Sequence, residues 1–402
     1  MIIEEIAASI IAAAAMAAGG LALRKRRVLT MRYRAMMNRF FYSERIVNEL
    51  MFSSDRTEPS NDAFIRYRDI AEGNLYPGQG IEVPVRHGKE TKTFLLPYAE
   101  IVNFIDRPQS RITIVRPDHI PQRYPADALT ARTRPALNAY LNRPAKRAQT
   151  YNDHILCMKS LRAKGPDTYS CELTQSDFLD VVRTNLTLDH PLEGGFRETL
   201  RGMDAARAEG KLPLLEDSLL MNFIGVSAVW CMDRGSGAPK ERFRYYLKCR
   251  QSGMSVYSGM LGTASGYANP PAGDRFDSDD LMQFMRSEML REFDEETGYG
   301  NYARSKGYSL EDERYIKVIP LALTREFARG GCPQFFFLIV TPYIGDREFA
   351  EYFKQSIDGR NEFRDDLLSN RSAHPLSPET FANLLYARRY VQQSEKLGFI
   401  RL

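Results

Sequence analysis

Residues 291–299 read REFDEETGY. Arg291, Glu292, Asp294, Glu295 and Glu296 crowd into this stretch, and Gly298 follows almost at once. The surrounding run, DSDDLMQFMRSEMLREFDEETGYG, predicts a helix from about Leu281 to Thr297. Ser278, Asp279 and Asp280 stand where a helix needs acceptors for its free N–H groups and favours negative charge. Gly298 stands where the left-handed turn that ends a helix belongs. Stepping about 100° per residue puts Glu288, Glu292, Glu295 and Glu296 within an arc of roughly 100°, with Asp294 pointing elsewhere. Met282, Met285, Met289 and Phe293 make the adjoining apolar stripe, which predicts packing on a sheet.

Four carboxylates on one arc repel one another, at a few tenths of a kcal/mol per i,i+4 pair in water. A solvated acidic face is the bland account of such a helix. The chemical account is a hard divalent cation, which takes oxygen ligands and joins carboxylates to substrate phosphates. Arg291 is the counter-charge within the motif.

Outward from this helix, strands and helices alternate. NFIGVSAVWCM (222–232) predicts a buried strand, RFRYYLKCR (242–250) a second, and SVYSGMLGTASGY (255–267) follows it. After the helix come IKVIPLALT (316–324) and PQFFFLIVTPY (333–343), then helical segments around 346–355 and 378–397. Another helix is predicted from Phe178 to Thr184. The alternation predicts a layered α/β or α+β domain over residues 151–402. Upstream, IEVPV, TKTFLLPY and RITIV are short β-type runs between turn residues. A Pro- and Arg-rich connector over 116–147 carries one predicted short helix, near Pro135–Leu141. Residues 28–150 are expected to hold a juxtamembrane basic helix and this small β-rich and linker region.

The amino terminus has a different character. Ile6 to Leu23 carries no charge, and about 1.5 Å per residue makes it roughly 27 Å of helix, enough for a bilayer core. Arg24, Lys25, Arg26 and Arg27 follow it directly. A cleavable signal peptide carries its positive charge in front, so residues 1–27 predict a transmembrane anchor with the bulk of the chain cytoplasmic. An Ala-rich helix that is buried or self-associating into a homo-oligomer is the alternative. Leu29, Tyr33, Met36, Met37, Phe40, Val47 and Met51 recur at helical spacing among arginines, a pattern suited to anionic lipid or to a stalk.

Composition removes some classes. A formal charge of +4 among 106 charged side chains carries no argument for nucleic acid, and no duplex-specific binding is expected. Five scattered cysteines without a CxxC pair disfavour a disulfide framework or a zinc site.

Arg291, Glu292, Phe293, Glu295, Glu296, Gly298 and Tyr299 resemble the second half of the Nudix box, R-E-U-x-E-E-x-G-U, where U is a bulky apolar residue. The first half departs: Asp277 and Gln283 stand where that family has a glycine and a glutamate. Gly266 in GTASGY is the equivalent glycine if about eleven residues, YANPPAGDRFD, are inserted before the helix. The resemblance covers roughly residues 150–402 and implies an α/β/α sandwich around a mixed sheet. It implies Mg²⁺ or Mn²⁺ on Glu292, Glu295 and Glu296, Arg291 orienting them, and Glu296 or a glutamate outside the box as base. Lys248 and Arg250 are candidates for phosphate contact, with surface charge the alternative for Lys248.

The activity implied is metal-dependent hydrolysis of a nucleoside diphosphate linked to another group. With the anchor, the chain also resembles the membrane-tethered SMODS-associated Nudix domains of bacterial anti-phage systems, a likeness that implies a bacterial inner membrane as its location. That likeness implies a second reading: the domain senses a cyclic nucleotide and the apolar helix disrupts the membrane. A catalytically silent membrane scaffold is the third.

Overall fold

Runs rich in β-branched and aromatic residues, bounded by turn formers, become the strands of the computed structural model. It describes residues 76–87, 90–142, 152–194, 198–235, 242–249, 261–353, 363–365 and 377–397. An antiparallel hairpin, β1 (Ile81–His87) with β2 (Glu90–Leu96), comes first. β3 (Tyr98–Asn103) and β4 (Arg111–Ile114) follow. The connector holds two helices where the sequence predicts one, α1 (Asp127–Arg132) and α2 (Arg134–Leu141). Pro135 lies in the first turn of α2, where no N–H is missed.

β5 (His154–Ala163) pairs antiparallel with β6 (Thr168–Asp177), and β4 joins β6 in parallel to make a three-stranded sheet. This pair is poorly marked in the sequence. Ser160, Thr174, Gln175 and Ser176 are buried in it, so polar residues interrupt the apolar alternation that marks a strand. α3 (Phe178–Val181) continues into a π-helical turn, Val182–Leu186, over the helix predicted there. α4 (Leu200–Ala206) precedes the main sheet.

That sheet contains β7 (Gly225–Asp233), β8 (Phe243–Cys249), β9 (Leu261–Gly262), β10 (Ala264–Tyr267), β11 (Lys317–Glu326), β12 (Cys332–Pro342) and β13 (Phe363–Asp365). Its order is β13-β8-β7-β12-β11-β3. β7 and β12 run parallel while β8 and β11 pair antiparallel with their neighbours, so the sheet is mixed. One edge of β7 is shared: β8 lies opposite Trp230–Asp233 and β10 opposite Gly225–Ala228. β3 closes the far side against β11, so stretches before and after residue 150 share a sheet.

β7 is buried along its whole length, which requires cover on both faces. Val226, Ala228, Trp230 and Met232 pack with Met285, Met289 and Phe293 of α5 (Leu281–Thr297). Val229 and Cys231 pack on the other side with Phe381, Ala382 and Leu384 of α8 (Pro378–Leu397). Two short helices, α6 (Tyr299–Ser305) and α7 (Asp346–Tyr352), lie between them in sequence. Trp230 anchors the α5 side, its ring 5.2 Å from Phe293 and 5.6 Å from Tyr299, with Nε1 donating to Thr341 Oγ1 at 3.0 Å. The mixed α and β layering agrees with the expected fold class.

The predicted anchor over residues 6–23 and the basic helix after it lie outside the described residues. Among the described residues, no helix is long and apolar enough to cross a membrane.

Candidate functional site

α5 starts and stops where its ends predict. Asp280 is the N-cap, its Oδ1 accepting from Met282 N at 2.9 Å, and Ser278 Oγ accepts from Asp280 N at 3.1 Å. Gly298 takes φ 70° and ψ 20°, the left-handed region that a side chain resists, and its N–H returns to Asp294 O. The Met282, Met285, Met289 and Phe293 stripe is buried on the sheet, which turns the carboxylate arc toward the edge of β10.

Arg291 sits at the centre of that arc. Its Nη2 donates to Glu292 Oε1 at 2.7 Å and to Glu288 Oε2 at 2.9 Å, and its Nη1 donates to Glu295 Oε1 at 2.9 Å. Nη2 also reaches Tyr267 O at 3.3 Å, tying the helix to the end of β10. The planar fork of a guanidinium suits one cation to several carboxylates in this way. Two backbone donors complete the set: Ser265 N–H to Glu296 Oε2 at 3.0 Å and Asn269 N–H to Glu288 Oε2 at 2.8 Å.

Gly266 faces Glu292 directly. A Cβ built at Gly266 would fall 2.1 Å from the Glu292 carboxyl carbon, so the carboxylate's seat exists only because that position has no side chain. Burial pushes the Glu292 carboxyl up to about 7; Arg291 pulls against this, while Glu296 and Glu295 add to it. The Arg291 guanidinium is held more firmly protonated than usual by Glu288, Glu292 and Glu295, against the opposing effect of its own burial. Glu295 is the open member, its side chain 55% exposed against 13% for Glu292.

Asp294 takes no part. Its Oδ1 accepts from Gly300 N at 2.6 Å and serves the start of α6. The structure thus brings together Arg291, Glu292, Glu295, Glu296 and Gly266 of the residues singled out from sequence. Lys248 lies on β8, in register with Gly262 and Phe363, but its side chain and all of Arg250 are outside the described residues. Glu288 emerges as a principal partner of Arg291. Its place on the arc was legible; its bond to Asn269 N–H, nineteen residues earlier in the chain, was not.

Three carboxylates on one guanidinium, with Glu296 beside them on the Ser265 N–H, are the donor set of a hard cation, and Glu292 is buried with like charges beside it. The donor chemistry therefore fits Mg²⁺ or Mn²⁺. As placed, the carboxylates turn to Arg291 and to backbone N–H groups. Among the described residues, no three acidic, His or Cys side chains form a ready-made ion site.

No family model matches the chain, and no curated protein does. Among solved structures, the chain is similar to a Nudix hydrolase from M. smegmatis, RenU, at 10% identity over 43% of this chain and 88% of that one, with a TM-score of 0.26. It is also similar to a NUDIX hydrolase from Alicyclobacillus acidocaldarius, at 17% identity over 31% and 71% of the two chains, with a TM-score of 0.21.

Proposed function

We propose that this chain is a membrane-anchored, Nudix-type hydrolase that cleaves a nucleoside-diphosphate-linked substrate with a divalent cation. The observation that supports it most is the Arg291 fork, which gathers Glu288, Glu292 and Glu295 on the helix edge facing Gly266. Glu292, Glu295 and Glu296 would hold Mg²⁺ or Mn²⁺. When bound, the ion neutralises phosphate charge and lowers the pKa of water. Arg291 fixes the carboxylate orientations and stays charged throughout. As the water oxygen bonds to phosphorus and the P–O bond to the leaving phosphoryl group breaks, the water's proton goes to Glu295, the carboxylate that solvent reaches, whose Oε1 is already oriented by Arg291 Nη1. Glu296 is buried with Oε2 on the Ser265 N–H, which suits it to holding position better than to exchanging protons with solvent.

The full-length chain in detergent, incubated with Mg²⁺ or Mn²⁺, is expected to cleave members of a panel of nucleoside diphosphate derivatives and to leave cyclic oligonucleotides intact. A specific feature favours a second reading, recognition without cleavage: the carboxylates already have partners, and Gln283 replaces an acid. Tight binding of a cyclic oligonucleotide, with no metal-dependent product from any panel member, would establish that reading and end the hydrolase proposal.

The anchor is part of the proposal on the strength of the uncharged run 6–23 and the four basic residues after it. A reporter fused after Leu402 is expected to face the cytoplasm. Proteolysis of that reporter from outside intact cells would reverse the topology.

A further inference from the structure

Position 283, where the resembled motif has an acid, holds a glutamine that faces solvent and lies away from Arg291's bonds. The carboxylate that does meet Arg291 from the N-terminal side is Glu288. It approaches in parallel: Nη2 to Oε2 at 2.9 Å and Nε to both oxygens at 3.3 Å. A carboxylate buried to this degree on a helix needs charge-assisted partners to offset its lost hydration. Glu288 has two, Arg291 and the Asn269 N–H, and the second comes from the inserted segment 267–277.

That segment is not a loose excursion. Ala268 N donates to Ile224 O at 3.0 Å and Ala268 O accepts from Leu156 N at 2.9 Å. Phe276 N donates to Pro117 O at 2.7 Å, and the Phe276 ring meets Phe284 of α5 edge-on at 4.9 Å. The insertion is thus stitched to Ile224 just ahead of β7, to β5 and to the helix at once. Its Tyr267 O then accepts from Arg291, and its Asn269 N–H donates to Glu288.

We propose that Glu288 replaces the missing upstream acid as a positioning residue, and that the inserted segment latches it so that Arg291 aims its remaining N–H groups at Glu292 and Glu295. This deepens the metal-dependent reading and rests on it for its first test. Mn²⁺ affinity of the full-length chain, measured from the spectrum of free Mn²⁺, is expected to fall about 10-fold in Glu288→Gln, the scale typical of groups that orient ligands. Because the action runs through Arg291, the same substitution made in an Arg291→Ala background is expected to add nothing. Additive losses would make Glu288 a direct ligand and overturn the proposal, as would an unchanged affinity in Glu288→Gln.

Hydrogen exchange tests the latch separately from metal binding. A glutamine oxygen still accepts the Asn269 N–H, so segment 267–277 is expected to stay protected in Glu288→Gln and to exchange faster in Glu288→Ala. If the wild type binds no Mn²⁺, the metal-dependent reading has failed, and exchange alone then decides the latch. Unchanged protection in Glu288→Ala overturns it.

Discussion

Glu295→Gln and Glu296→Gln are each expected to lower metal-dependent turnover by about 100-fold or more, while Asp294→Asn leaves it near the wild-type value. The three substitutions are matched in size and remove one negative charge each, so charge alone does not separate them. Position does. Glu295 meets Arg291 Nη1 and Glu296 meets the Ser265 N–H, on the face that looks at β10. Asp294 accepts from Gly300 N on another face. A glutamine at 296 keeps an oxygen for the Ser265 N–H and an asparagine at 294 keeps one for Gly300, so none of the three should unfold the helix. Activity loss in the first two therefore reports on the carboxylate charge. Equal loss in all three, with folding intact by circular dichroism, would sink the assignment of the site.

Glu292→Gln is expected to do the opposite to stability. In metal-free protein it should raise the unfolding free energy at pH 8 by about 2–3 kcal/mol and change it little near pH 4.5. The carboxyl is pushed from its usual 4.5 to about 7, chiefly by burial. A raised folded-state value means the native state holds a proton that the unfolded chain releases between about 4.5 and 7. Stability contributed by the neutral acid is thus complete below about 4.5, is lost as pH rises toward 7, and stays lost above it. A tenfold difference in proton affinity between the folded and unfolded chain is worth about 1.4 kcal/mol, and the 13% exposure of the side chain leaves little solvent screening to discount. Glutamine mimics the neutral acid at every pH and escapes the loss. Thermal or urea unfolding in chelator at the two pH values measures this. An equal effect at both, or destabilisation at pH 8, would show that the Arg291 contact outweighs burial.

Together the two results describe a site whose charge is costly to the fold. If Glu292 also holds a metal ion, the stabilised variant should be the one that has lost function, a common exchange at sites built for chemistry. The buried charge is tolerated because the guanidinium of Arg291 lies 2.7 Å away.

Much of α5 was legible in the chain. Asp280 and Gly298 mark its ends, and the methionine stripe fixes which side meets the sheet, because capping and helical periodicity act over four residues or fewer. The same is true of β7 and β12, whose unbroken apolar runs require cover on both faces. The carboxylate arc followed from the 100° step alone. The β5–β6 pair did not, since buried Ser160 and Gln175 interrupt its apolar alternation, and Gln175 Nε2 meets Ile120 O only once the chain has folded.

What faces the arc was decided by tertiary structure. Gly266 was singled out only as the motif's equivalent glycine across an inserted segment; its approach to Glu292 depends on β10 pairing with β7 in one register, Gly266 beside Val226. A slip of one residue would put Ser265 there instead and exclude the carboxylate. Asn269 reaches Glu288 only because the inserted segment is pinned to Ile224 and Leu156, far away in sequence. Local sequence determined which residues are helical, where the helix ends and which side bears charge, because those follow from bonds within a few residues. Which backbone N–H groups and which glycine meet that charge was left to strand register and long-range packing, where the interacting groups are set by the whole sheet.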